Sequence, residues 1–214
     1  MKLKKIASLM LAGVMAVSML AGCATTSNNG DGGEGEGEGQ VSTSNSSSIL
    51  HDAMMGDARK MTTPTASSAL DTALKNTVDA YFQNTDYVDD IHFDHVGRVD
   101  GKMYDALVSA MSAKKSINPE LYADANNDKV TTAVLLYAVE ASVSDTYALE
   151  KVADAIQYSV ADLPETSDNG EWNYTYTISA SIVTKPVTSS IVEGVTGGVK
   201  YIAVAVTQTP AAVV

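Results

Sequence analysis

Apolar positions along the chain change period three times. From Ile6 to Gly22 the run IASLMLAGVMAVSMLAG is apolar almost throughout. From Ala24 to Ser48 apolar residues nearly vanish. Beyond residue 48 they return with recognisable periods. Ser48–Met61 is weakly amphipathic and reads as a short helix, broken at Thr63-Pro64. Residues 66–82 place Ala69, Leu70, Ala73, Leu74, Thr77, Val78, Tyr81 and Phe82 at helical spacing. Asp100-Gly101 marks a turn, and 102–113 carries Met103, Ala106, Leu107, Ala110 and Met111 on one helical face. Thr131–Val139 is β-branched and apolar, with no polar residue from Ala133 onward; it fits a buried strand, and a helix also fits. Ser142 or Ser144 can cap a helix over 145–163 with Ala148, Leu149, Val152, Ile156, Val160 and Leu163 in a stripe, closed by Pro164.

The clearest alternation follows. Trp172, Tyr174, Tyr176, Ile178, Ala180 and Ile182 point one way; Asn173, Thr175, Thr177, Ser179 and Ser181 point the other. This predicts a half-buried strand over 172–183, ended by Lys185-Pro186. Gly197-Gly198 precedes a last strand over 199–207. The expected fold class is α+β: N-terminal helices, then a small antiparallel sheet in the order strand, helix, strand, strand, covered by helices on one face. The 166 residues from 49 to 214 form one such domain.

Composition and charge narrow the function classes. Three of the fourteen basic residues, Lys2, Lys4 and Lys5, precede the first apolar run. Removal of that segment leaves 11 basic against 26 acidic residues, a net charge of −15. Nucleic acid and anionic headgroups repel such a surface, so no nucleic-acid partner is expected and the protein surface cannot hold the chain at a membrane. Cys23 is the only cysteine, which rules out an internal disulfide. The basic start, the apolar stretch and the small residues before Cys23 make a secretory signal over 1–22.

Leu20-Ala21-Gly22-Cys23 resembles the lipobox of bacterial lipoproteins at each of its positions. The resemblance implies that the Cys23 thiol takes a diacylglyceryl group and that cleavage before it makes Cys23 the first residue. It implies a chain anchored by lipid on the extracytoplasmic face of the cell membrane, with the membrane as its first partner. Two acyl chains give stable anchoring where one gives marginal binding. A Lys-rich start followed by a Gly/Glu linker is similar to lipoproteins of Gram-positive gut anaerobes. Residues 23–48, the lipidated cysteine and the Gly/Ser/Glu-rich stretch after it, read as a disordered stalk; 24–48 has a mean reach of roughly 25–30 Å.

Candidate chemistry in 49–214 is sparse. Asp86–Asp100 holds Asp86, Asp89, Asp90, His92, Asp94, His95 and Asp100, and carboxylate with imidazole is a metal-ligand chemistry. There is no His-Glu-x-x-His and no thiol ligand, so an exposed acidic loop is the expected reading, with a metal-binding or metal-dependent protein using His92, Asp94 and His95 as the alternative. Asp124-Ala-Asn126-Asn-Asp128 starts like a calcium loop but has Lys129 where glycine is needed and Leu135 where a bidentate acid is needed; it reads as a turn. Trp172, Tyr174 and Tyr176 could stack on sugars if exposed, but are assigned to the core. Ser112-Ala-Lys-Lys115 has the spacing of an acyl-transfer pair without its companion motifs. Gly194, Gly197 and Gly198 lack the Lys and Ser/Thr of a phosphate loop. No catalytic, cofactor or metal residue is therefore assigned. The sequence favours a non-catalytic surface module that binds an envelope protein, a peptide or a glycan, with a structural envelope component as a further alternative.

Overall fold

The computed structural model describes residues 43–82, 95–122, 128–188 and 196–213. Residues 1–42, which include the expected signal, Cys23 and most of the expected stalk, lie outside the described residues, as do His92, Asp94, Asp124 and Asn126. All described residues belong to one unit.

Five helices and five strands follow in the order α1 (Thr43–Ala53), α2 (Gly56–Met61), β1 (Thr62–Pro64), α3 (Ser68–Tyr81), β2 (Gly97–Arg98), α4 (Lys102–Ala110), β3 (Thr131–Glu140), α5 (Asp145–Ala161), β4 (Trp172–Thr188) and β5 (Thr196–Ala212). A short turn, Ile117–Leu121, connects α4 to β3 and buries its two apolar ends. The sheet order is β1-β4-β5-β3-β2. β1 runs parallel to β4, and the other pairings are antiparallel. The fold is α+β, as the periodicity predicts. Ser67 and Ser144 accept the N–H groups of Leu70 and Tyr147 and so cap α3 and α5.

Four expectations are corrected. The described fold includes residues ahead of Ile49: α1 spans Thr43–Ala53, Ser46 and Ser47 are buried, and Ser47 bonds to β4. Polarity alone marks these serines as linker, yet both are buried, and the Ser47 hydroxyl bonds to the backbone of Thr65 and Ala180. The predicted helix over 48–61 is two helices, divided where Gly56 takes φ +59°, a conformation open to glycine at little cost. β4 does not end at Lys185-Pro186. The Ile178 carbonyl and the Ala180 N–H both bond away from β5, so even-numbered residues of β4 face its outer edge; Pro186 therefore places its missing N–H outward, where no ladder bond is lost.

The fourth correction concerns the layers. Helices cover both faces of the sheet. On the first, α1, α2 and α5 pack on Ala133, Leu135, Tyr137 and Val139 of β3, Tyr174, Tyr176, Ile178 and Ala180 of β4, and Ile202, Val204 and Val206 of β5. On the second, α3 and α4 pack on Val134, Leu136, Ala138, Val199, Tyr201, Ala203 and Ala205. The uninterrupted apolar run of β3 is the cause: a strand with no polar face has to be covered twice.

Candidate functional site

β4 is long and its neighbour β1 is short, and this mismatch leaves a shallow concavity at the sheet edge. β1 registers only with Tyr176–Ile178. On the other side of Thr175, the edge is closed by the segment after α5: the Tyr174 N–H donates to the Glu165 carbonyl at 2.8 Å and the Ser167 N–H to the Trp172 carbonyl at 2.9 Å. Between these two patches lies an open notch of about 430 Å³. Lys60, Met61 and Thr63 form one wall, Glu165 and Thr166 the other, and Asn173, Tyr174, Thr175 and Tyr176 the floor. Its volume falls within the range of small-ligand sites.

The notch carries both charges and several neutral hydrogen-bonding groups. Lys60 is exposed and pairs with Asp57 at 3.1 Å. Tyr176 is buried; its hydroxyl donates to the Pro164 carbonyl at 2.6 Å and accepts from Gln208 Nε2 at 3.1 Å. Burial, opposed by the Gln208 hydrogen bond, pushes the Tyr176 phenol up to about 12. It is therefore a neutral, anchored phenol at physiological pH and no proton acceptor. Thr63, Thr166 and Thr175 offer hydroxyls that donate and accept, and Asn173 offers an amide that does the same. This set suits recognition of a polar, largely uncharged ligand.

The aromatic row occupies the core. Tyr174 and Tyr176 are buried within the first-face cluster, and Trp172 packs against it. The row offers no exposed stacking platform. His95 is exposed beside Gly97, away from the notch-forming segments. Among the described residues no group of three His, Cys, Asp or Glu side chains is placed to hold a metal ion. Ser112 sits in the turn after α4 at φ +48°. The Lys115 ammonium bonds to Asp105 at 2.7 Å, which raises its pKa and holds it charged, so it is no base for Ser112. Tyr104 and Arg98, whose guanidinium lies 5.5 Å over the Tyr104 ring, both bond to the Lys115 carbonyl and fix this segment against β3. Asp128 is exposed ahead of β3.

Sequence reasoning does not find the notch. Lys60 and Thr63 are about a hundred residues from Glu165 and Asn173 in the chain, and no sequence pattern links them. Among the described residues no helix is long and apolar enough to cross a membrane. Comparison with protein-family models, with curated proteins and with solved structures finds no match.

Proposed function

We propose that this chain is an exported lipoprotein, tethered through Cys23, whose α+β domain binds a polar ligand at the notch between β1, β4 and residues 165–166. The observation that carries the tether is the only cysteine standing at the end of Leu20-Ala21-Gly22-Cys23, directly before a stretch of Gly, Ser, Asn and Glu. Binding over catalysis is favoured because the Tyr176 hydroxyl is held neutral between the Pro164 carbonyl and Gln208, and Lys60 pairs with Asp57. A peptide, a glycan or a segment of an envelope protein matches its mixture of hydroxyl, amide and charge. The surplus of acid over base argues against an anionic ligand.

Two measurements test the reading. Growth with a fatty-acid analogue should label the protein, and labelling that persists in Cys23→Ala overturns the tether. For the domain, the melting temperature of the full chain in detergent is followed against neutral oligosaccharides and cell-wall peptides, with divalent metals and chelator as controls. A ligand that binds only the folded state raises apparent stability by mass action, by about 2.7 kcal/mol at a hundredfold excess over its Kd. A rise that Lys60→Ala and Glu165→Ala remove supports the notch. A rise with metal that chelator reverses overturns it in favour of the His92–His95 segment.

A further inference from the structure

The notch wall formed by Glu165 and Thr166 is held by the turn that follows it, residues 167–172. The Ser167 N–H donates to the Trp172 carbonyl at 2.9 Å, and the Trp172 N–H donates back to Ser167 Oγ at 2.9 Å. Ser167 is buried, and its hydroxyl donates to Asn169 Oδ1 at 2.7 Å. The Glu171 N–H donates to the same Oδ1 at 3.2 Å, and Asn169 Nδ2 donates to Glu171 Oε2 at 2.9 Å. One amide side chain thus fixes both arms of the turn. Gly170 follows it at φ +71°, exposed, with nothing within 4 Å of the place a Cβ would occupy.

We infer that Asn169-Gly170 is a self-modification site: ring closure converts Asn169 to isoaspartate or aspartate and releases the 165–166 wall of the notch. The consequence for ligand binding rests on the notch being a binding site; the conversion and the loosening do not. Hydroxide takes the Gly170 amide proton, and the Gly170 nitrogen attacks Asn169 Cγ. A C–N bond forms, a five-membered ring closes, and negative charge builds on Oδ1. The bond from Cγ to Nδ2 then breaks, and that nitrogen leaves as ammonia with a proton from water. Water opens the succinimide at either carbonyl, so the net change is amide plus water to acid plus ammonia. Three observations carry the inference. First, Oδ1, where the charge develops, already accepts from two donors, Ser167 Oγ and the Glu171 N–H. Second, Gly170 has no side chain to crowd the attacking nitrogen, and its surroundings are open. Third, residues 168–171 are exposed, so hydroxide and water reach the reacting atoms. The Gly170 N–H donates to the Ser167 carbonyl at 2.9 Å and must leave it first; that opening is local to an exposed turn, so it sets the pace of the step without blocking it. Isoaspartate routes the main chain through Cγ and takes Oδ1 away from Ser167 and Glu171. Either product sets a second carboxylate beside Glu171, where the amide had donated, and the two repel. The Ser167 hydroxyl then loses the partner that orients it toward the Trp172 N–H.

The test ages the full chain in detergent under mildly alkaline buffer and maps it by peptide mass spectrometry and isoaspartyl methyltransferase labelling. The chain's other Asn-Gly pair, Asn29-Gly30, is the internal reference. Conversion at Asn169 is expected, and its absence overturns the inference whether or not Asn29 converts. Hydrogen exchange then reads the wall with no ligand present. The Ser167, Trp172 and Tyr174 amides, which donate to Trp172, Ser167 and Glu165, should exchange about tenfold faster in the converted chain, the factor for losing about one hydrogen bond. Asn169→Gln cannot close the five-membered ring, so its aged and fresh samples should exchange alike. Equal exchange in the converted and fresh parent overturns the release of the wall. An acceleration in aged Asn169→Gln as large as the parent's overturns it too. Since neither readout uses a ligand, both outcomes stand apart from whether the notch binds one.

Discussion

Ser47 and Ala180 are joined by a buried hydrogen bond: the Ala180 N–H of β4 donates to Ser47 Oγ at 3.0 Å. The same hydroxyl donates to the Thr65 carbonyl at 3.0 Å, just past β1. One serine thereby ties α1, the edge of β4 and the end of β1 together, and steadies the strand pair that forms one side of the notch. Ser47→Ala strands a buried donor and an acceptor. Loss of about 1–3 kcal/mol is expected, read as a lower midpoint in urea unfolding with an unchanged slope. A fragment that starts at Ile49 should be destabilised further, since it also lacks buried Ser46 and the first turn of α1.

Gly198 is required by space. A Cβ built there would lie 2.8 Å from the Ala141 Cβ and 2.9 Å from the Lys185 carbonyl oxygen. The second neighbour is backbone and cannot rotate away. Gly198→Ala should cost about 1–3 kcal/mol through overpacking, whereas Gly197→Ala, with nothing within 4 Å of the added atom, should be nearly neutral. Thermal unfolding of the two variants side by side checks the contrast.

These two sites show where the sequence is legible. α3, α4, α5 and the central part of β4 follow from period alone, because each has one apolar face and a clear start or stop signal such as Ser67, Ser144 or Gly101. The two-sided cover of β3 was also written in the chain: a strand apolar at successive residues has no solvent face to offer. The clean alternation of β4 implies a one-sided sheet, and the unbroken apolar run of β3 overrides it. What single-sequence patterns cannot give is the set of pairings that depend on distant partners. β1 is a strand only because Tyr176–Ile178 lies beside it, and glycine is needed at 198 only because Ala141 and Lys185 close on it.

The candidate site was less legible for the same reason. The residues richest in chemistry, Asp86 to Asp100, largely fall outside the described residues, and His95 at their end is exposed. The notch instead uses common residues brought together by a mismatch in strand length. The aromatic row lies in the core, as the alternation predicts, because the opposite face of β4 is all hydroxyl and amide. That face nonetheless splits: Ser179 and Ser181 are small enough to lie buried under α3, and the threonines beyond them stay open.

Lys200 supplies a third test. Its side chain is 7% exposed and its ammonium meets the Asp145 carboxylate at 2.5 Å and the Val143 carbonyl at the start of α5. Asp145 is one-third exposed and sits at a helix N-terminus, so it stays stable as an anion when its partner is removed. Lys200→Met should therefore cost less than about 3 kcal/mol, while Asp145→Ala leaves a buried ammonium against a helix N-terminus and should cost more. Urea unfolding of both single variants and the double variant gives the coupling, and equal costs for the two singles would contradict this assignment.

Tyr176 makes stability depend on alkaline pH with a definite sign. Its phenol is raised from an ordinary value near 10 to about 12 by burial, so the unfolded chain gives up this proton first. The contribution is fully present below pH ~10 and is lost as pH rises toward 12, since ionisation then favours the unfolded state. Burial raises Tyr104 and Tyr137 in the same direction, which reinforces the trend. Tyr176→Phe removes one such proton and should flatten the fall in stability above pH ~10. At neutral pH it should cost about 1–3 kcal/mol, because Gln208 Nε2 and the Pro164 carbonyl lose their shared partner. Melting curves from pH 7 to 11, with tyrosinate absorbance followed in parallel, separate the two effects: a variant as steep as the parent in the alkaline limb would remove Tyr176 as the source of the slope.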